Sequence, residues 1–124
     1  MKRGAIASSV AHDSHNIIAV GTNDEDLCNA VNLLIENKGG LSASRNEDQL
    51  VIPLPIAGLM SDLDCETIGN LYGLLDGKAK EWGSKLRSPY MTLSFMALLV
   101  IPQLKLSDKG LFDGGEFKFT ELFV

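Results

Sequence analysis

The spacing of apolar and polar positions changes several times along the chain, and each change marks a predicted element. Gly4–Val10 and Ile17–Val20 are short runs of Ala, Ile and Val bounded by polar or glycine residues, which predicts two strands. From Thr22 the period becomes helical. Leu27, Val31, Leu34 and Ile35 recur at three- and four-residue spacing, and Gly39-Gly40 closes the run. Thr22 and Glu25 have the spacing of a capping box, and acids crowd the first turn. A further strand at Leu41–Ser44 would complete a βαβ unit, with the helix as its crossover.

Beyond this unit, "RNED" (Arg45–Asp48) reads as a turn and "QLVIPLPI" as a returning strand, together a hairpin. Pro53 and Pro55 cannot donate to a ladder, so the second half of that run lies at a sheet edge or leaves the sheet. A second helix starts near Ser61–Asp64 and sets Cys65, Ile68, Leu71, Tyr72, Leu75, Ala79 and Trp82 on a broad apolar face. Gly69, Gly73 and Gly77 stack along one side of it, each costing about 1 kcal/mol relative to Ala. Either another backbone approaches there or the face is open to solvent. Tyr90–Leu98 is expected to form a short buried helix, opened by Ser88-Pro89 and ended by Ile101-Pro102. Turns at Ser107–Gly110 and Asp113–Gly115 precede a terminal strand marked by Phe117, Phe119 and Leu122. The whole, residues 1–124, reads as one α+β domain: a mixed β-sheet with two to three packed helices, including one βαβ unit.

Composition narrows the function classes. A net charge of −5 and the absence of a basic stripe argue against a nucleic acid polymer as partner. The longest apolar run, "FMALLVIP", is far short of the ~20 residues of a membrane span, and "MKRGAIASSVA" lacks the apolar core of a signal peptide. A soluble cytoplasmic protein is expected. Cys28 and Cys65 belong to no Cys-x-x-Cys pair and are expected to be buried or half-buried thiols.

The candidate chemistry lies between the first two strands, in His12, Asp13, Ser14, His15 and Asn16. His12 and His15 are the only histidines in the chain. As a metal site the loop is incomplete, because a stable zinc centre takes three or four protein ligands and His-x-x-His supplies two. As a Ser/His/Asp relay it is too crowded for the acid to orient the base and the base to activate the nucleophile. Two readings stay open: a polar loop offering imidazole and carboxylate to a ligand held mainly by something else, or a turn stabilised by Asp13 and Asn16 with the histidines in solvent.

"AIASSVAHDSHNIIAVGTNDEDLCNAVN" (Ala5–Asn32) resembles the start of the adenine deaminase C-terminal domain. The blocks "VIPLPIAGLMSD" (Val51–Asp62), "PYMTLSFMALLVIPQLKLSDKGLFD" (Pro89–Asp113) and "FKFTELFV" (Phe117–Val124) follow in the family's order, so the resemblance covers nearly the whole chain. It implies an enzyme of the metal-dependent amidohydrolase superfamily, acting in purine salvage. There a (β/α)₈ barrel upstream of this domain carries His-x-His and further ligands for a divalent metal, Mn or Fe. The metal-activated water attacks C6 of adenine, giving hypoxanthine and ammonia.

This chain has no His-x-His and is far shorter than a barrel of about 250 residues. The expectation is therefore a C-terminal domain or fragment, inactive alone, with no metal of its own. Its expected partner is the catalytic barrel or its own copy, and a purine in the intact enzyme. His12, Asp13 and His15 are the candidates for a supporting role at the active site, and Ser14 and Asn16 for substrate contact. "MTLSF" (Met91–Phe95) is expected to place its apolar members in the core, with Thr92 and Ser94 able to hydrogen-bond the loop. "PLPIAGLMSD" is expected to be a structural edge segment or an interdomain contact. The alternative is a stand-alone binding or regulatory module that kept the fold without the chemistry.

Overall fold

Strand β1, Ala5–Ser8, is buried at all four positions, and its alternating side chains divide the core in two. Ile6 points into a cluster with Leu75, Ala79, Trp82, Tyr90 and Leu93, whereas Ala5 and Ala7 meet Ala30 and Leu34 on the opposite face. In the computed structural model, which describes residues 1–123, β1 is thus the centre of three layers. Helix α1 (Asp24–Glu36) covers one face of a sheet, and α2 (Cys65–Glu81) and α3 (Pro89–Met96) cover the other. Val124, the last residue of the closing "FKFTELFV" block, lies outside the described residues.

The sheet has the order β2-β1-β3-β4, with β2 at Ile18–Gly21, β3 at Gly40–Arg45 and β4 at Asp48–Pro53. The α+β class holds, and the sheet's connectivity is more particular than the sequence suggested. Every hydrogen-bonded pair is antiparallel. Because β2 and β3 both run opposite to β1, they run parallel to each other, joined by α1, with β1 inserted between them. The βαβ unit is therefore split, and the crossover helix lies over small residues. Ser42 and Ser44 are fully buried beside Ala5 and Ala7, their partners in β1. Ser42 uses its hydroxyl to donate to the Ala30 carbonyl of α1 at 2.7 Å, which a larger side chain would prevent.

Helix α1 starts one residue later than the predicted box. Asn23 is the N-cap, its Oδ1 accepting from the Asp26 backbone N–H at 2.8 Å. Thr22 is still engaged with β1, its N–H donating to the Gly4 carbonyl, so it cannot serve as the cap. Asp26 is buried and binds in two directions, accepting from Asn23 Nδ2 at 2.7 Å and from the Asn46 N–H of the β3–β4 turn at 2.8 Å. One carboxylate thereby ties the helix start to the hairpin. That hairpin is the one predicted, and β4 is an edge strand that leaves the sheet after Pro53.

The chain then makes an irregular cover. Ala57 and Gly58 both have positive φ between the bridged residues Ile56 and Met60. The Gly58 carbonyl accepts from Ser9 Oγ at 2.6 Å, and that same oxygen accepts from the Gly40 N–H at 2.8 Å. A Cβ on Gly39, at φ 117°, would stand 2.4 Å from Gly58 Cα. The clasp closes only because Gly39 lacks one.

Several burial expectations are corrected. Cys28 and Cys65 are exposed: Cys28 lies off the Asp26–Ala30–Leu34 stripe, and Cys65 begins α2 before that helix reaches the sheet. Met91 and Phe95 of "MTLSF" are exposed too, because α3 turns Pro89, Tyr90, Leu93 and Ser94 inward. The α2 glycines at 69, 73 and 77 have nothing within 4 Å of a built Cβ, so among the described residues that side is open. The C-terminal region gains two strands that were not predicted. β5 (Leu104–Ser107), β6 (Gly110–Asp113) and β7 (Lys118–Thr120) form a separate antiparallel meander on the predicted turns, and Leu122 lies beyond it.

Candidate functional site

The five loop residues follow the buried strand β1 and the buried Ala11, and all five are exposed. Their backbone is nonetheless held. The His12 N–H donates to the Ser94 carbonyl of α3 at 3.0 Å, and the His15 N–H reaches the Ala11 carbonyl at 3.4 Å. The His12 ring stacks on Phe95, with centroids 4.8 Å apart and planes 25° from parallel. This gives exposed Phe95 a local task, and it is the Ser94 main chain rather than the Ser94 or Thr92 side chain that meets the loop. Thr92 Oγ1 instead donates to the Ser88 carbonyl.

Asp13 and His15 lie in the left-handed region, at φ 71° and 53°. Aspartate and histidine tolerate that conformation better than most residues. Asn16 does not close the loop on itself. Its Nδ2 donates to Asp108 Oδ1 in the β5–β6 turn at 3.4 Å, a contact between the loop and the meander. The reading in which Asp13 and Asn16 merely staple a turn is therefore not what the hydrogen bonds describe.

His12, Asp13 and Ser14 line a hollow of about 240 Å³ together with Leu99, Phe112 and Phe117. Phe117 was predicted as part of a strand. It instead precedes β7 at φ 55°, with its ring edge-on to Phe112 at 5.4 Å. A left-handed backbone is unusual for so bulky a side chain and costs on the order of 1 kcal/mol or more. Three residues of positive φ, Asp13, His15 and Phe117, thus belong to the loop and the hollow beside it. The only sequence signal for Phe117 was the Gly114-Gly115 turn just ahead of it. Ser14 and Asn16 also border a second hollow of about 420 Å³, with Ile17, Leu99 and Leu106.

Among the described residues, no group of three or more His, Cys, Asp or Glu side chains gathers to hold a metal ion. The loop offers two exposed imidazoles and an exposed carboxylate. They can orient a ligand, donate or accept hydrogen bonds, and exchange protons.

The model of the family described as "Adenine deaminase C-terminal domain" matches residues 1–118. This chain belongs to that family. The domain is 58% identical over its full 124 residues to an adenine deaminase of Methanosarcina acetivorans, where the match covers 22% of the relative. It is 60% identical over 122 residues to one from Sulfurovum, covering 98% of this chain and 23% of the relative. A third, from Borreliella afzelii, is 57% identical over 122 residues, 98% of this chain and 22% of the relative. The adenine deaminase C-terminal domain described here thus spans about a fifth of the length of the curated relatives it matches.

Proposed function

We propose that this chain is the C-terminal part of an adenine deaminase of the amidohydrolase superfamily, which hydrolyses adenine to hypoxanthine and ammonia in the cytoplasm. The catalytic divalent metal, Mn or Fe, belongs to a barrel outside this chain, and the His12–Asn16 loop reaches the mouth of that active site. His12, Asp13 and His15 there support the reaction by orienting the purine or carrying protons, while Ser14 and Asn16 contact substrate. The observation that carries the reading is the loop itself, a main chain anchored on α3 that turns both of the chain's imidazoles outward beside an aromatic-walled hollow. Imidazole suits such work because its charge changes near neutral pH.

Ammonia release from adenine, with Mn²⁺ or Fe²⁺ supplied, tests this. The chain alone is expected to be inactive, and activity there would overturn the assignment of the metal to another part. In an intact relative, alanine at the positions aligned with His12 and His15 is expected to lower kcat/KM at least tenfold. If both variants stay within twofold of wild type, the loop has no part in the chemistry.

A further inference from the structure

The two imidazoles of the loop are held unequally. His15 has the 3.4 Å main-chain bond to Ala11 and, among the described residues, no aromatic ring against it. His12 is held twice, by consecutive residues of α3. Ser94 is in the last turn of that helix, where carbonyls are short of intrahelical donors, and its carbonyl accepts the His12 N–H at 3.0 Å. Phe95, 39% exposed, lies with its ring against the His12 imidazole at 4.8 Å and 25°. That separation and tilt are those of an offset stack. The helix is itself a firm mount. Leu93 packs in the core, and the Tyr90 hydroxyl donates to the Ser42 carbonyl of β3 at 2.8 Å.

An exposed side chain ordinarily divides its time among several rotamers. Stacking engages a face of the imidazole, so it selects among those rotamers and leaves the ring edge, with Nδ1 and Nε2, for a ligand. We infer that Phe95 is a positioning residue: it holds the His12 ring on α3 and so aims the nitrogens of that imidazole, while His15 is left to move. The inference rests on the active-site reading of the loop and adds which imidazole is aimed, and by what. A misplacement of about 1 Å lowers rate steeply. Loss of the stack therefore acts on turnover more than on substrate affinity.

Two measurements test it. The first is proton NMR of this chain, whose only imidazole resonances come from His12 and His15. The ring current of Phe95 should move the His12 ring protons upfield of those of His15. Phe95→Leu should abolish that difference and Phe95→Tyr should keep it. Wild-type signals with no upfield displacement overturn the inference. The second is adenine deamination by an intact relative that carries histidine and phenylalanine at the aligned positions. There Phe95→Leu is expected to lower kcat roughly fivefold, the weight of one aromatic contact, with KM within twofold. Phe95→Tyr should restore turnover, and the leucine effect should vanish when His12 is already alanine, because the two residues act as one. A leucine effect that persists in the His12→Ala background, or an unchanged kcat where His12→Ala lowers it, overturns the inference and leaves the loop's role standing. Lower turnover that accompanies lost thermal stability and is not rescued by tyrosine makes Phe95 structural and overturns it too. If His12→Ala changes neither kcat nor KM, the active-site reading itself fails and this inference falls with it.

Discussion

Ala5–Ser8 and His12–Asn16 are separated by three residues of chain, yet the first segment is buried at every position and the second exposed at every position. The strand has helices on both faces, so it carries small or aliphatic side chains and its polar groups must find partners inside. The loop emerges where the sheet ends. There the backbone is fixed through Ser94 and Ala11, and the exposed side chains make only peripheral contacts, His12 stacking on Phe95 and Asn16 bonding Asp108. Burial and exposure are thus divided between adjacent pieces of one chain. Substitutions around the strand should unfold the domain, and substitutions in the loop should leave it folded.

The largest effect is expected at the clasp. Gly39→Ala places a Cβ against Gly58 Cα at a positive φ, with backbone on both sides. It should cost about 3 kcal/mol or more in urea unfolding, or prevent folding. A loss under ~1 kcal/mol would mean that the cover over Ser9 is easily displaced.

Asp26→Ala comes next. It removes the acceptor shared by Asn23 and Asn46, two groups in separate elements, and leaves the hairpin-turn N–H without its partner. A loss of about 2 kcal/mol is expected. Asp26→Asn should recover part of it, since an amide oxygen can still accept one of the two bonds.

Tyr90→Phe sharpens the comparison through pH. The Tyr90 hydroxyl donates to the Ser42 carbonyl at 2.8 Å, and its loss should cost about 1 kcal/mol. Burial, reinforced by Tyr72 and Asp76, pushes the phenol above its ordinary value of 10.0. In the unfolded chain the phenol ionises first, so above about pH 10 the folded state retains more protons and stability falls as pH rises. The contribution is full below pH 10. The wild-type domain should therefore lose stability above pH 10 more steeply than Tyr90→Phe, and parallel curves would remove the buried phenol from that account.

The smallest stability effects belong to the loop. His12→Ala gives up one partly exposed ring stack, worth about 0.5–1 kcal/mol, and His15→Ala should change the thermal midpoint of the domain hardly at all. Should either variant cost as much as Asp26→Ala, the loop is part of the scaffold and the division drawn above fails.

Much of the scaffold was legible because its signals are local. The Asn46-Glu47 hairpin, the helix beginning at Asp64, the Pro89 start of α3 and the turn near Asp108-Lys109 are each written in a few adjacent residues. The five-residue loop stood out for the same reason. Phe117 did not, because its role depends on Phe112 and on a backbone conformation that phenylalanine disfavours. The paired strands β5 and β6 were also missed. Each has only four residues: Leu104-Lys105-Leu106-Ser107 alternates too briefly to stand out, and Gly110-Leu111-Phe112-Asp113 does not alternate at all.

By itself the sequence determined the α+β class, the order of most elements, the position of the polar loop and the family, since period, capping and motif are properties of neighbouring residues. Only the tertiary structure decided that β1 divides β2 from β3, that Asn23 rather than Thr22 caps α1, and that both thiols and half of "MTLSF" face outward. It also joined Asn16 to Asp108 and brought Phe117 to the hollow that His12 lines. The physical reason is common to all of these. Which face is covered, and which partner a polar group meets, depends on segments far away in the chain, and no local pattern records where they will pack.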